Sequence, residues 1–148
     1  ATLHITLTES TTCTIEVVSE TGERASHAIE LVYDKDLVGY TAFRDEEYKG
    51  TPYLWTGKGP IEFALPAKTG QPHTLHLLWG AKGDERIGFL NINGHEQKLV
   101  HGGYDGFEWL KVDIPADWVT GDAIQFRLVE KTDRSRAAFI GEAKLTSP

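Results

Sequence analysis

Apolar and polar residues alternate along most of this chain, and a period of two is the mark of a strand with one buried face. Leu3, Ile5 and Leu7 alternate with His4 and Thr6, and Cys13, Ile15 and Val17 with Thr14 and Glu16. A denser apolar run covers Ile29 to Tyr33. The rhythm returns at Ile61, Phe63 and Leu65, at Leu75, Leu77 and Trp79, at Leu90 and Ile92, and at Leu99 and Val100. It continues at Leu110, Val112 and Ile114, at Ile124, Phe126 and Leu128, and from Ala138 to Leu145. Gly-rich turn signals separate the runs, and Asn93-Gly94 between two of them is a two-residue hairpin signal, because both turn positions need positive φ. Short strands at this spacing predict an all-β chain, a β-sandwich of the jelly-roll kind with about nine mostly antiparallel strands. A single domain is expected over 1–148. No long window shows a 3.6-residue period; Phe43 to Tyr48 is the best short helical candidate.

One stretch breaks the rhythm. From Asp34 to Gly59, charged residues are interleaved with Tyr40, Phe43, Tyr48, Tyr53 and Trp55. Aromatic content argues against disorder, so the stretch reads as an ordered loop region on a ligand-facing edge.

Composition narrows the partners. The 148 residues carry 22 Asp and Glu against 15 Lys and Arg, a net charge of −7. That argues against nucleic acid or an anionic membrane surface as partner, and no apolar run approaches the roughly 20 residues of a membrane span. Cys13 is the only cysteine, which rules out an intramolecular disulfide, and its place in an apolar alternation suits an inert core thiol. No methionine occurs, even at position 1, so the chain is expected to begin after processing or to be part of a longer protein.

Catalytic patterns are missing. His73 and His76 are three apart and point to opposite faces of a strand, and His95 and His101, six apart, share a face but lack a third ligand. The histidines therefore read as surface residues. No nucleophile elbow, zinc-protease helix motif or phosphate-binding glycine loop is present. Glu46-Glu47 and Asp105/Glu108 are the carboxylate pairs nearest to a glycosidase spacing, and both read as solvated loop charges.

The aromatic residues say more. Trp79 shares the parity of Leu75 and Leu77 and belongs to the core, while Trp118 reads as a plug at a loop base. Trp109 has the parity opposite to Leu110, Val112 and Ile114 and faces outward, after a Gly-rich segment carrying Tyr104, Asp105, Phe107 and Glu108. Trp55 stands beside Tyr53 among glycines. Flat rings beside acidic and amide groups suit a sugar, whose C–H face packs on the ring while its hydroxyls take hydrogen bonds.

Several stretches carry a resemblance: 57–66, 74–80, 89–94 with Asn93-Gly94, 107–115 opening on Phe107 and Trp109, 121–128 and 138–145. In their order the chain resembles the galactose-binding-like β-sandwich of many carbohydrate-binding modules, such as families 6 and 35. The resemblance implies a sugar held in loops at one end of the sandwich by Tyr104, Phe107 or Trp109, with Tyr53 or Trp55 as the opposing wall. It also implies a structural calcium, for which Glu16 and Glu142 are the nearest matches. Lys131 to Arg136 replaces the family's last binding loop, and Arg134 and Arg136 suit an acidic sugar. The expectation is thus a secreted, non-catalytic module that binds a plant or algal polysaccharide, extracellular or periplasmic and covalently linked to a hydrolase or lyase. Trp55 and Trp109 would stack on the sugar, with Arg44, Asp105, Glu108, Arg134 and Arg136 supplying polar contacts. The alternatives are an accessory structural domain packed on a catalytic domain, and a small polysaccharide lyase or hydrolase.

Overall fold

The computed structural model describes residues 11–18, 21–22, 24–31 and 34–148, with backbone only for the strands within 11–31. The chain packs as two compact units, 1–35 and 36–148. In the first, β1 (Thr11–Val18) and β2 (Arg24–Leu31) form an antiparallel hairpin pairing Thr11 with Leu31 and Val18 with Arg24. The expected strand at Leu3 to Leu7 lies outside the described residues, as does the side chain of Cys13.

The second unit holds ten strands and no α-helix. They are β3 (Leu37–Ala42), β4 (Glu46–Tyr48), β5 (Thr51–Trp55), β6 (Ile61–Pro66), β7 (His73–Lys82), β8 (Glu85–Ile92), β9 (His95–Gly102), β10 (Asp105–Ile114), β11 (Ala123–Val129) and β12 (Phe139–Thr146). One sheet runs β10-β7-β12-β5-β4, with β3 also paired to β12; the other runs β6-β11-β8-β9. This is the expected antiparallel sandwich. The stretch from Asp34 to Gly59, expected as loop, contains β3, β4 and β5, and the helical candidate at Phe43 to Tyr48 is instead a turn into strand β4.

The core lies between the sheets. Leu75, Leu77 and Trp79 of β7, Ile140, Ala143 and Leu145 of β12, and Ile114 of β10 meet Ile61, Leu65, Leu90, Ile92, Ile124, Phe126 and Leu128. Trp79 is fully buried, and its indole N–H donates to the His101 carbonyl at 3.0 Å. Asn93 and Gly94 both take positive φ in the β8–β9 turn, as read from the sequence. The Asn93 amide also donates to the Trp118 carbonyl at 2.8 Å, and the Trp118 ring stacks on His95 at 4.2 Å.

Not all the histidines are surface residues. His73 is buried: its Nε2 accepts from the Lys68 N–H at 3.0 Å, so its Nδ1 carries the proton and donates to the Gln71 carbonyl at 2.8 Å. His95 and His101 sit at opposite ends of β9, about 20 Å apart at roughly 3.4 Å per residue, and cannot share a metal.

The six-stranded sheet also packs on its outer face. Paired residues of antiparallel strands share a face, so Gly80 lies between Phe107 and Phe139, with Trp55 beyond Phe139. The Tyr53 ring sits 4.7 Å from that of Phe139 and 6.0 Å from that of Phe107. Gly80 makes room for this cluster, since a Cβ there would stand 2.6 Å from Phe107 Cε1 and 2.9 Å from Phe139 Cβ. Gly80→Ala is therefore expected to destabilise the domain by about 1–3 kcal/mol through overpacking, read as a lower urea midpoint at unchanged m value.

Candidate functional site

The outer face of the six-stranded sheet is concave. β4 and β10 are opposite ends of the strand order, yet the Tyr48 hydroxyl donates to Asp105 and Lys49 Nζ pairs with Asp105 at 2.7 Å. The β4–β5 hairpin, joined to β12 at Trp55 and Leu54, thus reaches back over the outer face toward β10. Lys82 Nζ lies 4.8 Å over the Tyr48 ring, which fastens the β4–β5 hairpin above β7. The hairpin turns on Lys49 (φ 50°) and Gly50 (φ 81°), a two-residue turn with both positions in the left-handed region. Beneath it, the Tyr53 hydroxyl donates to Glu46 at 2.9 Å, and Glu46 pairs with Lys58 at 2.6 Å.

Beyond the hairpin the concave face stays open. A cleft of about 280 Å³ lies there, walled by Gly50, Thr51 and Pro52 and by Tyr40, Ala42 and Arg44, over Leu78, Gly141 and Glu142. A bulge in β12 builds its base: Ile140 pairs with Trp79 and Ala143 with Leu77, so Gly141 and Glu142 together face Leu78. Such an extra residue re-aims a side chain. Here it sends Glu142 outward, where its carboxylate accepts the Tyr40 hydroxyl. Trp109 pairs with Leu78 from the far side and is 43% exposed; Tyr40 is 52% exposed. Trp109 and Glu142 thus flank Leu78 on successive strands, each about 4.8 Å from the next.

The sequence candidates fall into three places. Trp109, Phe107, Asp105, Tyr53 and Glu142 share this outer face along the sheet, and Arg44 joins them from the segment between β3 and β4. Tyr53, expected as a wall, is 5% exposed and forms the floor beneath the hairpin. Trp55 and Arg134 lie at the loop end, with the guanidinium 5.1 Å over the indole. Gly57 lets the Trp55 ring lie against the backbone, since a Cβ there would come within 2.3 Å of it. Arg136 is tied to the Glu85 side chain at 3.3 Å. Tyr104 is half-buried and donates to the Trp79 carbonyl at 2.6 Å. Glu108 points to the opposite face from Asp105 and Trp109, being odd steps away along β10. The same parity argument separates Glu46 from Glu47, so neither carboxylate pair is a glycosidase-type pair. Sequence reasoning missed Tyr40 and the role of Glu142; the alternation of Tyr40 and Ala42 against Gly39 and Thr41 was the available signal.

The calcium expectation rests on Glu16 and Glu142, which belong to different compact units. Glu142 bonds Tyr40, the Glu16 side chain lies outside the described residues, and no three His, Cys, Asp or Glu side chains among the described residues converge as metal ligands. No helix of the described residues is long and apolar enough to cross a membrane.

No protein-family model matches this sequence, and no curated protein matches it either. Solved structures do. The cycloalternan-forming enzyme of Listeria monocytogenes, solved with a pentasaccharide substrate, aligns with a TM-score of 0.59 at 15% identity, covering 94% of this chain and 17% of that one. An uncharacterised protein of Listeria monocytogenes EGD-e, solved with glucose, magnesium and calcium, aligns at 0.56 and 18% identity, covering 82% of this chain and 13% of that one. A Podospora anserina GH26-CBM35 β-(1,4)-mannanase aligns at 0.51 and 14% identity, covering 93% and 28%. The shared property is the fold. This chain is a β-sandwich similar to a portion, 13–28% of the length, of these larger proteins.

Two pH responses follow from the geometry. Burial first, then the Glu142 carboxylate, pushes the Tyr40 hydroxyl up to about 12; burial and Glu46 do the same for Tyr53, and burial with the Glu108 charge for Tyr104. A raised folded-state value means stability present below the unfolded value of about 10 and lost as pH climbs toward about 12. Phenolate absorbance should therefore show these three tyrosines ionising late, with urea stability declining across that window. Asp105 moves the other way: hydrogen bonds from Lys49 and then Tyr48 hold its carboxyl below the usual aspartate range. The hairpin clasp is accordingly present above the ordinary aspartate value and lost as acid titrates the depressed one. Amide exchange at 49–51 should rise in that acid range, and Asp105→Asn should remove the dependence.

Proposed function

We propose that this domain is a non-catalytic carbohydrate-binding module whose ligand lies in the concave groove of the six-stranded sheet. One observation carries the proposal: an exposed indole and an exposed phenol, Trp109 and Tyr40, flank a cleft holding a carboxylate, a guanidinium and the Thr51 hydroxyl over the apolar Leu78 floor. A pyranose ring offers an apolar face to Trp109, and its hydroxyls find acceptor and donor in Glu142 and Arg44. Desolvation of those hydroxyls keeps affinity modest, as for other polar ligands in open sites. The fold likeness to parts of proteins solved with a pentasaccharide and with glucose supports the same class of ligand. The domain would act outside the cell, joined to a polysaccharide-degrading enzyme.

A second reading has its own support, because the chain matches only a fraction of the larger proteins named above. In it the domain is a structural accessory whose exposed Trp109 is buried against a catalytic neighbour. Affinity electrophoresis against a polysaccharide panel separates the two. Trp109→Ala should weaken retardation about tenfold or more, Glu142→Gln and Arg44→Gln should weaken it less, and Trp55→Ala should leave it unchanged. Absence of retardation on every polysaccharide would favour the accessory role, and release of reducing ends or unsaturated products would show an enzyme.

A further inference from the structure

The groove holds positive charge that no ion pair among the described residues engages. Lys49, Lys58, Arg86, Arg127, Lys131 and Arg136 each pair with an Asp or Glu. Lys111, Lys144 and Arg44 make no ion pair among the described residues, and all three border the open part of the concave face. The register sets Lys111, His76, Lys144 and Tyr40 abreast on four successive strands, each step about 4.8 Å. Lys144 Nζ lies 5.1 Å over the Trp109 ring, in the adjoining row, so cation and stacking surface are contiguous. His76 Nε2 bonds the Thr146 hydroxyl at 3.0 Å. The acids on this part of the face are Glu142, occupied by Tyr40, and Asp113, two residues beyond Lys111.

Such a row runs against composition, because the chain carries −7 overall. The general field disfavours a polyanion at long range, but it is screened within about 8 Å at physiological salt. Contacts to two ammonium groups on either side of one strand act inside that distance. Of the two arginines from which an acidic sugar is expected in the sequence, Arg136 is paired with Glu85, and Arg134, which like Lys144 lies over an indole without an ion pair among the described residues, stands at the loop end rather than on this face.

We propose that the groove takes a negatively charged saccharide, its charge borne as a uronate carboxylate or a sulfate ester and seated between Lys111 and Lys144 while a sugar ring rests on Trp109. Lysine serves here as a point charge with rotatable donors, which both anions accept. Arg44, at the far end of the cleft, meets the next anionic or hydroxyl group along the chain. This inference rests on the carbohydrate-binding reading above.

The test uses the folded chain in affinity electrophoresis and calorimetry. Oligogalacturonate, oligomannuronate and a sulfated galactan oligosaccharide are each compared with a neutral counterpart, methyl-esterified or desulfated. At least one anionic form should bind about tenfold tighter than its neutral counterpart, with the advantage shrinking as salt rises. The double variant Lys111→Gln/Lys144→Gln should abolish that advantage, bringing the ratio of charged to neutral affinity to about one. Whether the carboxylate or the sulfate arm responds identifies the anion. Neutral forms bound as tightly as charged ones, or an advantage untouched by the double variant or by salt, would overturn the inference while sparing the binding reading. If no saccharide binds, charged or neutral, the binding reading and the inference fall together.

Discussion

The geometry of this domain depends on the packing of three rings over one missing side chain. Gly80 leaves a hollow on the outer face of β7, and Phe107, Phe139 and Tyr53 fill it from three neighbouring strands. Tyr53 belongs to the β4–β5 hairpin, so this packing holds the hairpin against that face. From there Tyr48 and Lys49 of the hairpin reach Asp105 of β10. The groove is the part of that face which the hairpin does not cover. Fold and site are thus joined through the solvent side of the sheet, while the inter-sheet core supplies a rigid base beneath them.

The core was the most legible part of the sequence, because each of its strands has one apolar parity. Leu75, Leu77 and Trp79 disclosed β7, and Ile124, Phe126 and Leu128 disclosed β11. β3, β4 and β5 escaped notice for physical reasons. β3 alternates only weakly, with Gly39 at a position where a Cβ would stand 3.0 Å from Leu65 Cβ, so a core-facing residue carries no hydrophobic signal. β5 is aromatic on its outward parity, with Tyr53 and Trp55 there, since a second packed layer lies outside the sheet. The Lys49-Gly50 turn has the geometry of Asn93-Gly94, but a lysine with positive φ does not advertise it.

The site was legible in its residues and not in its placement. Trp109 faces outward as its parity requires, and Phe107, Asp105 and Arg44 join it on the same face. Their location on one face follows from strand order and from where the β4–β5 hairpin lies, long-range properties that no local pattern records. Glu142 shows a further limit. Strict alternation along β12 cannot hold both Ile140 and Ala143 inward, and only the bulge reconciles them. Trp55 is half-buried, and its neighbours in sequence say nothing of Arg134 folding over its ring.

The groove is built on the side of the sheet away from the interior, from side chains whose removal leaves no cavity between the layers. Arg44, Lys111 and Lys144, which make no ion pair among the described residues, can each be exchanged at little thermodynamic cost, since surface changes remote from core features usually stay within about 0.5 kcal/mol. The scaffold therefore separates heritable variation in selectivity from variation in durability. A lineage carrying this sandwich could alter what it holds, one outward residue at a time, without first acquiring compensating mutations in its interior.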